Sequence, residues 1–176
     1  MDLTREDAKL VLVNHGRVPF EPRPDGLLDV RWLEHLDSGD VVTYSQWSGP
    51  ANVDGAVAYR RYRSGGLAEP ERPVGCVVLV TAEFDRPDVA EEWIDLVFAA
   101  LAADEVPHPG GISATFHVSE DGMRMLNYAE WTSAQAHKDA LARGNGSVGL
   151  APEWQRVQSF PALKKAGVKR YRVVGE

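Results

Sequence analysis

The chain has 176 residues, 44% of them hydrophobic and 26% charged, with a formal net charge of −7. That length suits one domain, or two small fused half-domains, with a sizeable core. The acidic balance excludes a nucleic-acid partner held by its phosphates, and the single cysteine, Cys76, excludes an internal disulfide framework or a multi-cysteine metal site.

No basic-then-apolar leader and no run of ~18 apolar residues is present, so a cytoplasmic protein without a membrane span is expected. In chain order, Thr4-Arg5-Glu6-Asp7 has the pattern of a helix start capped by Thr4. The apolar run Leu10–Val13 after it reads equally as helix or short strand. Three prolines and a glycine make Pro19–Gly26 an irregular linker. Leu27–Leu36 and Asp40–Trp47 form a first hairpin, Ser48–Gly55 a turn-rich bridge, and Ala56–Tyr62 a strand. The glycine pair and two prolines within Ser64–Pro73 mark a boundary between halves.

Val74–Phe84 reads as an apolar strand in which Cys76 is a small buried hydrophobe. Asp88, with Glu91 three residues on, has capping-box spacing. The helix after it places Ala90, Trp93, Ile94, Val97 and Leu101 on one core-facing stripe, and Pro107–Gly111 stops it. Ile112–Trp131 follows as two strands joined at Glu120-Asp121-Gly122, since Asp-Gly between alternating apolar residues signals a hairpin. Ser113, Thr115 and His117 share one face of the first strand. Met125, Asn127, Ala129 and Trp131 share a face of the second, because strand side chains alternate. An amide and an indole about 13 Å apart on that face suit the wall of an apolar pocket.

Thr132 and Gln135 have the spacing of a second capping box. The helix behind them puts His137, Ala140 and Leu141 on one face and ends at Gly144. Pro152 suits the first turn of a short helix carrying Trp154, Val157 and Phe160, and Val168–Val174 is the closing strand. Gly144-Asn145-Gly146-Ser147-Val148-Gly149 fits the dinucleotide pattern of glycines, but a helix precedes it where a strand is required, so it reads as a loop.

The first half carries a weaker copy of the central hairpin. His35 matches His117, Tyr44 matches Tyr128 and Trp47 matches Trp131, with 9 positions from His35 to Tyr44 against 11 in the later copy. The difference is even, so if it falls in the turn both strands keep their facing. Arg61-Tyr62-Arg63 matches Arg170-Tyr171-Arg172; from the tryptophan to that tyrosine is 15 positions in one half and 40 in the other, so 25 residues are missing from the first. This pattern predicts an internal duplication with one copy trimmed: a truncated structural half at 1–66 and a complete half at 74–176. The Arg-Tyr-Arg cations are expected on a solvated strand face.

The order strand–helix–hairpin–helix–strand, with Leu126-Asn127-Tyr128-Ala129-Glu130-Trp131 on the last hairpin strand, resembles the antibiotic biosynthesis monooxygenase family over Val74–Val174. The flavour is that of its aromatic-polyketide and spore-pigment subgroup. The resemblance implies an α+β fold, a ferredoxin-like dimeric α/β barrel, here built from two tandem halves. It implies a cofactor-independent monooxygenase that oxidises an anthrone-type polycyclic aromatic polyketide, with molecular oxygen as co-substrate and no flavin or metal. Asn127 and Trp131 match the family's pocket amide and indole, and His117 has the spacing of a family histidine. His137 stands where the oxygenases place a tyrosine, so either histidine is a candidate proton-transfer group. Thr43 replaces the amide in the first half. Haem held by His137 in a haem-degrading monooxygenase of the same fold, or a non-catalytic polyketide-binding protein, are the competing readings. Either the two halves close the barrel within a monomer, or a homodimer covers a sheet face left bare by the trimmed half.

Overall fold

Eight segments rich in β-branched and aromatic residues pair into one antiparallel sheet that closes on itself, leaving no free edge. The computed structural model describes residues 1–66, 72–105 and 109–175. The strands are β1 (Leu10–His15), β2 (Leu27–His35), β3 (Val41–Trp47), β4 (Val57–Gly66), β5 (Cys76–Phe84), β6 (Gly111–Ser119), β7 (Arg124–Trp131) and β8 (Leu163–Gly175). The helices, α1 (Ala90–Ala103), α2 (Ala134–Arg143) and α3 (Trp154–Gln158), all belong to the second half. Around the barrel the order is β1-β3-β2-β8-β5-β7-β6-β4. Each half therefore repeats one pattern, fourth–first–third–second, and the halves join at β2–β8 and β4–β6.

The barrel interior is filled by Leu33, Val42, Tyr44, Val77, Leu79, Leu126, Tyr128 and Tyr171, with Leu3 of the N-terminal segment at one end. Outside the second half, α1 and α3 bury Trp93, Ile94, Val97, Trp154 and Val157 against Phe84, Phe116, Val118 and Met125. Among the described residues, no helix covers the outer face of the first half. Phe20, Ala51 and Val53, from the connections flanking β2 and β3, cover Leu10, Leu12, Leu27 and Trp47 instead. The barrel thus closes within one chain.

Several local expectations differ. Thr4 starts no helix: its N–H and hydroxyl both donate to Asp2, at 2.8 Å each, and Leu10–His15 pairs with β3 and β4 as a strand. The cap of α2 is Ser133, extended at φ −162° and ψ 161°, whose Oγ accepts from the Ala136 N–H at 3.1 Å; two capping residues in succession allow either register. Asp88 caps nothing, since the residue in the N-cap position of α1 is Val89, with no side-chain cap, and Asp88 holds φ at +66°. β8 starts at Leu163 because its pairing continues along β5 as far as Phe84. The expected stop at Pro107 and the centre of the expected boundary Ser64–Pro73 lie outside the described residues.

Candidate functional site

Three of the four candidate residues lie on the helix-covered face of the second half, and two of them, Trp131 and His137, touch. In the ladder Asn127 lies opposite Val80 on β5 and Phe116 on β6, and Trp131 lies opposite Cys76 and Gly111. Alternation along β7 turns both outward, beneath the helices, while Leu126 and Tyr128 enter the barrel. α2 crosses this face and sets the His137 ring edge-on to Trp131, with centroids 4.8 Å apart and planes at 75°.

His137 is 2% exposed, and its Nδ1 accepts a 2.9 Å hydrogen bond from Nε of Arg170 on β8. Burial, and then the Arg170 charge, push its pKa down to about 4, so the ring is neutral near pH 7. Asn127 is only 8% exposed, and its Oδ1 is buried without a hydrogen-bond partner. Leaving an amide oxygen so costs roughly 1–3 kcal/mol, which makes it the most conspicuous polar atom of this layer. Around it the side chains pack closely: Val80, Ala114 and Val148 touch both hydrophobic clusters on this face.

One cleft of about 330 Å³ lies at the barrel end, and one of about 310 Å³ runs between the end of α1, Arg143 and the segment from Val148 to Pro152; neither is lined by Asn127, Trp131 or His137. That size is at the lower end for small-molecule pockets. Asp104, just past α1, pins the segment by accepting from the N–H groups of Leu150 (2.8 Å) and Ala151 (2.7 Å) and from Trp154 Nε1 (2.9 Å). The Gly144–Gly149 motif is the loop between α2 and α3, as expected.

His117 is separated from this site. Phe116, not His117, stands across from Asn127, so the His117 side chain turns into the barrel. There its Nδ1 donates to the Leu126 carbonyl at 3.2 Å and its Nε2 accepts from the Tyr44 hydroxyl at 3.0 Å. Full burial drives its pKa down to about 4. Asn127 and Trp131 lie on the other side of the sheet, so His117 is not placed to act with them.

Arg170 was not legible as a site residue; it is one of the cations expected on a solvated face, and only the crossing of α2 over β8 brings a histidine to it. In the first half, Thr43 is fully engaged, donating to the Gly16 carbonyl at 2.8 Å and accepting from the Val18 N–H at 2.9 Å. The counterpart of the Asn127 position therefore ties down a connection.

A closed antiparallel barrel of two ferredoxin-like sheets, with an amide and an indole beneath the helices, defines the dimeric α/β-barrel class in single-chain form. Residues 77–158 match the model of the antibiotic biosynthesis monooxygenase family. It is 50% identical over 34 residues to tetracenomycin-F1 monooxygenase of Streptomyces glaucescens, a match covering 19% of this chain and 30% of that relative's length. An anthrone oxidase-like protein superposes with a TM-score of 0.68 at 15% identity, covering 97% of this chain and 93% of the other. A haem-degrading enzyme from Listeria monocytogenes superposes with a TM-score of 0.58 at 15% identity, covering 93% and 100%. Among the described residues, no helix is long and apolar enough to cross a membrane.

Proposed function

We propose that this protein oxidises an anthrone-type polycyclic aromatic polyketide with molecular oxygen, without a cofactor of its own, at the helix-covered face of β7. The observation that carries the proposal is the buried, unpartnered Oδ1 of Asn127, four residues from Trp131 on one sheet face. A fold rarely keeps such an atom for stability, and a ligand hydroxyl would satisfy it. The family match and the names of the curated relative and of the anthrone oxidase-like neighbour support the same chemistry.

In the reaction a methylene carbon becomes a carbonyl. One oxygen atom enters that carbonyl, and the other leaves as water with both methylene hydrogens. Once ionised, the substrate supplies the first electron to oxygen itself, so the protein has to position and stabilise an anion. Trp131 gives a flat wall for a fused-ring substrate. Asn127 accepts from a phenolic hydroxyl through Oδ1 and donates through Nδ2 to the developing oxyanion. Neither His117 nor His137 supplies a base here, because His117 is across the sheet and the unshared pair of His137 Nδ1 is held by Arg170. The methylene proton passes to water.

The same hydrogen bond bears on haem. An axial imidazole gives iron a ring-nitrogen lone pair, and the one this ring offers at Nδ1 faces a guanidinium 2.9 Å away. His137 as it stands does not fit that ligand role.

An oxygen electrode with anthrone, in metal-free and flavin-free buffer, tests the proposal. Uptake is expected, falling on the order of 100-fold in Asn127→Ala and falling also in Trp131→Phe. Absence of uptake, or equal rates in the variants, refutes the site. Quenching of tryptophan fluorescence by the aromatic ligand without uptake would make this a binding protein.

A further inference from the structure

Arg170 on β8 hydrogen-bonds the His137 ring, and the chemistry of that bond has a direction. A guanidinium has donors only, so Nδ1 of His137 must accept, and the neutral ring then carries its single proton on Nε2, on the other side of the ring. The ring cannot turn over freely, because it is 2% exposed and held edge-on by the Trp131 indole. We infer that Arg170 is a positioning residue that fixes His137 in the Nε2–H form and so makes it a hydrogen-bond donor for substrate oxygen rather than a base.

The functional consequence rests on the oxygenase reading above. At this site the substrate ionises and gives an electron to oxygen, so a second donor beside the Asn127 amide stabilises the anion that develops. A carboxylate in place of Arg170 would do the reverse: it would accept from Nδ1, move the lone pair to Nε2, and produce the base or metal-ligand form of the ring. The strand residue behind the histidine therefore selects which chemistry the same imidazole performs.

The test is the long-range proton–nitrogen NMR correlation pattern of uniformly ¹⁵N-labelled protein, with the His137 signals assigned by their loss in His137→Gln. In the wild type at neutral pH, Nε2 is expected to be protonated and Nδ1 unprotonated. In Arg170→Met, which removes the donor and keeps an unbranched side chain, both tautomers are expected. A wild-type ring protonated on Nδ1, or a pattern unchanged in Arg170→Met, overturns the inference. Oxygen uptake with anthrone then separates the two proposals. If wild type turns over and Arg170→Met lowers kcat at unchanged KM, the donor role holds; an unchanged kcat removes the donor role and leaves the oxygenase reading standing. If wild type shows the expected tautomer and no uptake, the oxygenase reading fails and the donor role fails with it, while the tautomer assignment survives.

Discussion

Asn127→Leu should make the protein more stable and less active. The side chain keeps its branch at Cγ, but the orphaned Oδ1 and the amide nitrogen become methyl groups. Asn127 is 8% exposed among Val80, Phe116 and the neighbouring apolar side chains, so the new methyls are buried in apolar surroundings. Removing an unsatisfied buried carbonyl recovers about 1–3 kcal/mol, and extra methyl volume in a packed layer gives some of that back. A net gain of about 1–2 kcal/mol corresponds to roughly 2–8 °C in Tm for a chain of this size. The assay is differential scanning calorimetry of wild type, Asn127→Leu and Asn127→Ala, with oxygen uptake measured on the same samples. Asn127→Ala should fall below the leucine variant because it leaves a cavity. A leucine variant less stable than wild type by more than about 1 kcal/mol would show that the amide makes stabilising hydrogen bonds. The argument that it is kept for a ligand would then be lost.

His117 should give the fold an acid-sensitive step. Its folded pKa of about 4 lies below the unfolded value of about 6.5, so stability is full above pH 6.5 and is lost as the pH falls toward 4. Between pH 7 and pH 5 its share of the loss is about 2 kcal/mol; His137 carries a like shift and adds its own loss, so urea titrations should show a loss about 2 kcal/mol smaller in His117→Gln than in wild type, and equal losses would refute it. Tyr44→Phe leaves His117 Nε2 buried without its donor and should cost about 1–3 kcal/mol by chemical denaturation, with a negligible effect contradicting the hydrogen bond. Gly149→Ala would drive a Cβ into Asp104 Oδ2 and Trp154 Nε1, breaking the anchor of the Val148–Pro152 segment. It should lower stability by roughly 1–3 kcal/mol and speed proteolysis in that segment, and a wild-type cleavage rate would argue against the anchor.

What could be read before folding was whatever depends on neighbours in sequence. The hairpin from Gly111 to Trp131 and the common facing of Asn127 and Trp131 follow from alternation alone. So does the core stripe of α1, buried at Ala90, Trp93, Ile94 and Val97. Capping was harder: Thr132 and Ser133 are both good N-caps, and only the backbone angles of the turn choose between them. Arg170 and His137 are 33 positions apart, and nothing local joins them.

The misplaced histidine is more instructive, because alternation already grouped His117 with Ser113 and Thr115. What was hidden was the register: pairing Phe116 with Asn127 sends His117 to the opposite side of the sheet from the amide. In this tandem chain the inward face is the surface on which the two halves mate, and Tyr44 of the first half meets His117 at 3.0 Å and the Tyr128 ring at 5.0 Å between centroids. A neutral imidazole with one donor and one acceptor satisfies a buried hydroxyl on one side and a carbonyl on the other, a junction that an apolar side chain would leave with an unpaired Tyr44 hydroxyl. The repeated strand order and the fully engaged Thr43 support reading the first half as a copy kept for closure. On that reading the histidine spacing that resembles a catalytic one belongs to the seam between the halves, and the chemistry is left to the outer face, where an amide oxygen still lacks a partner.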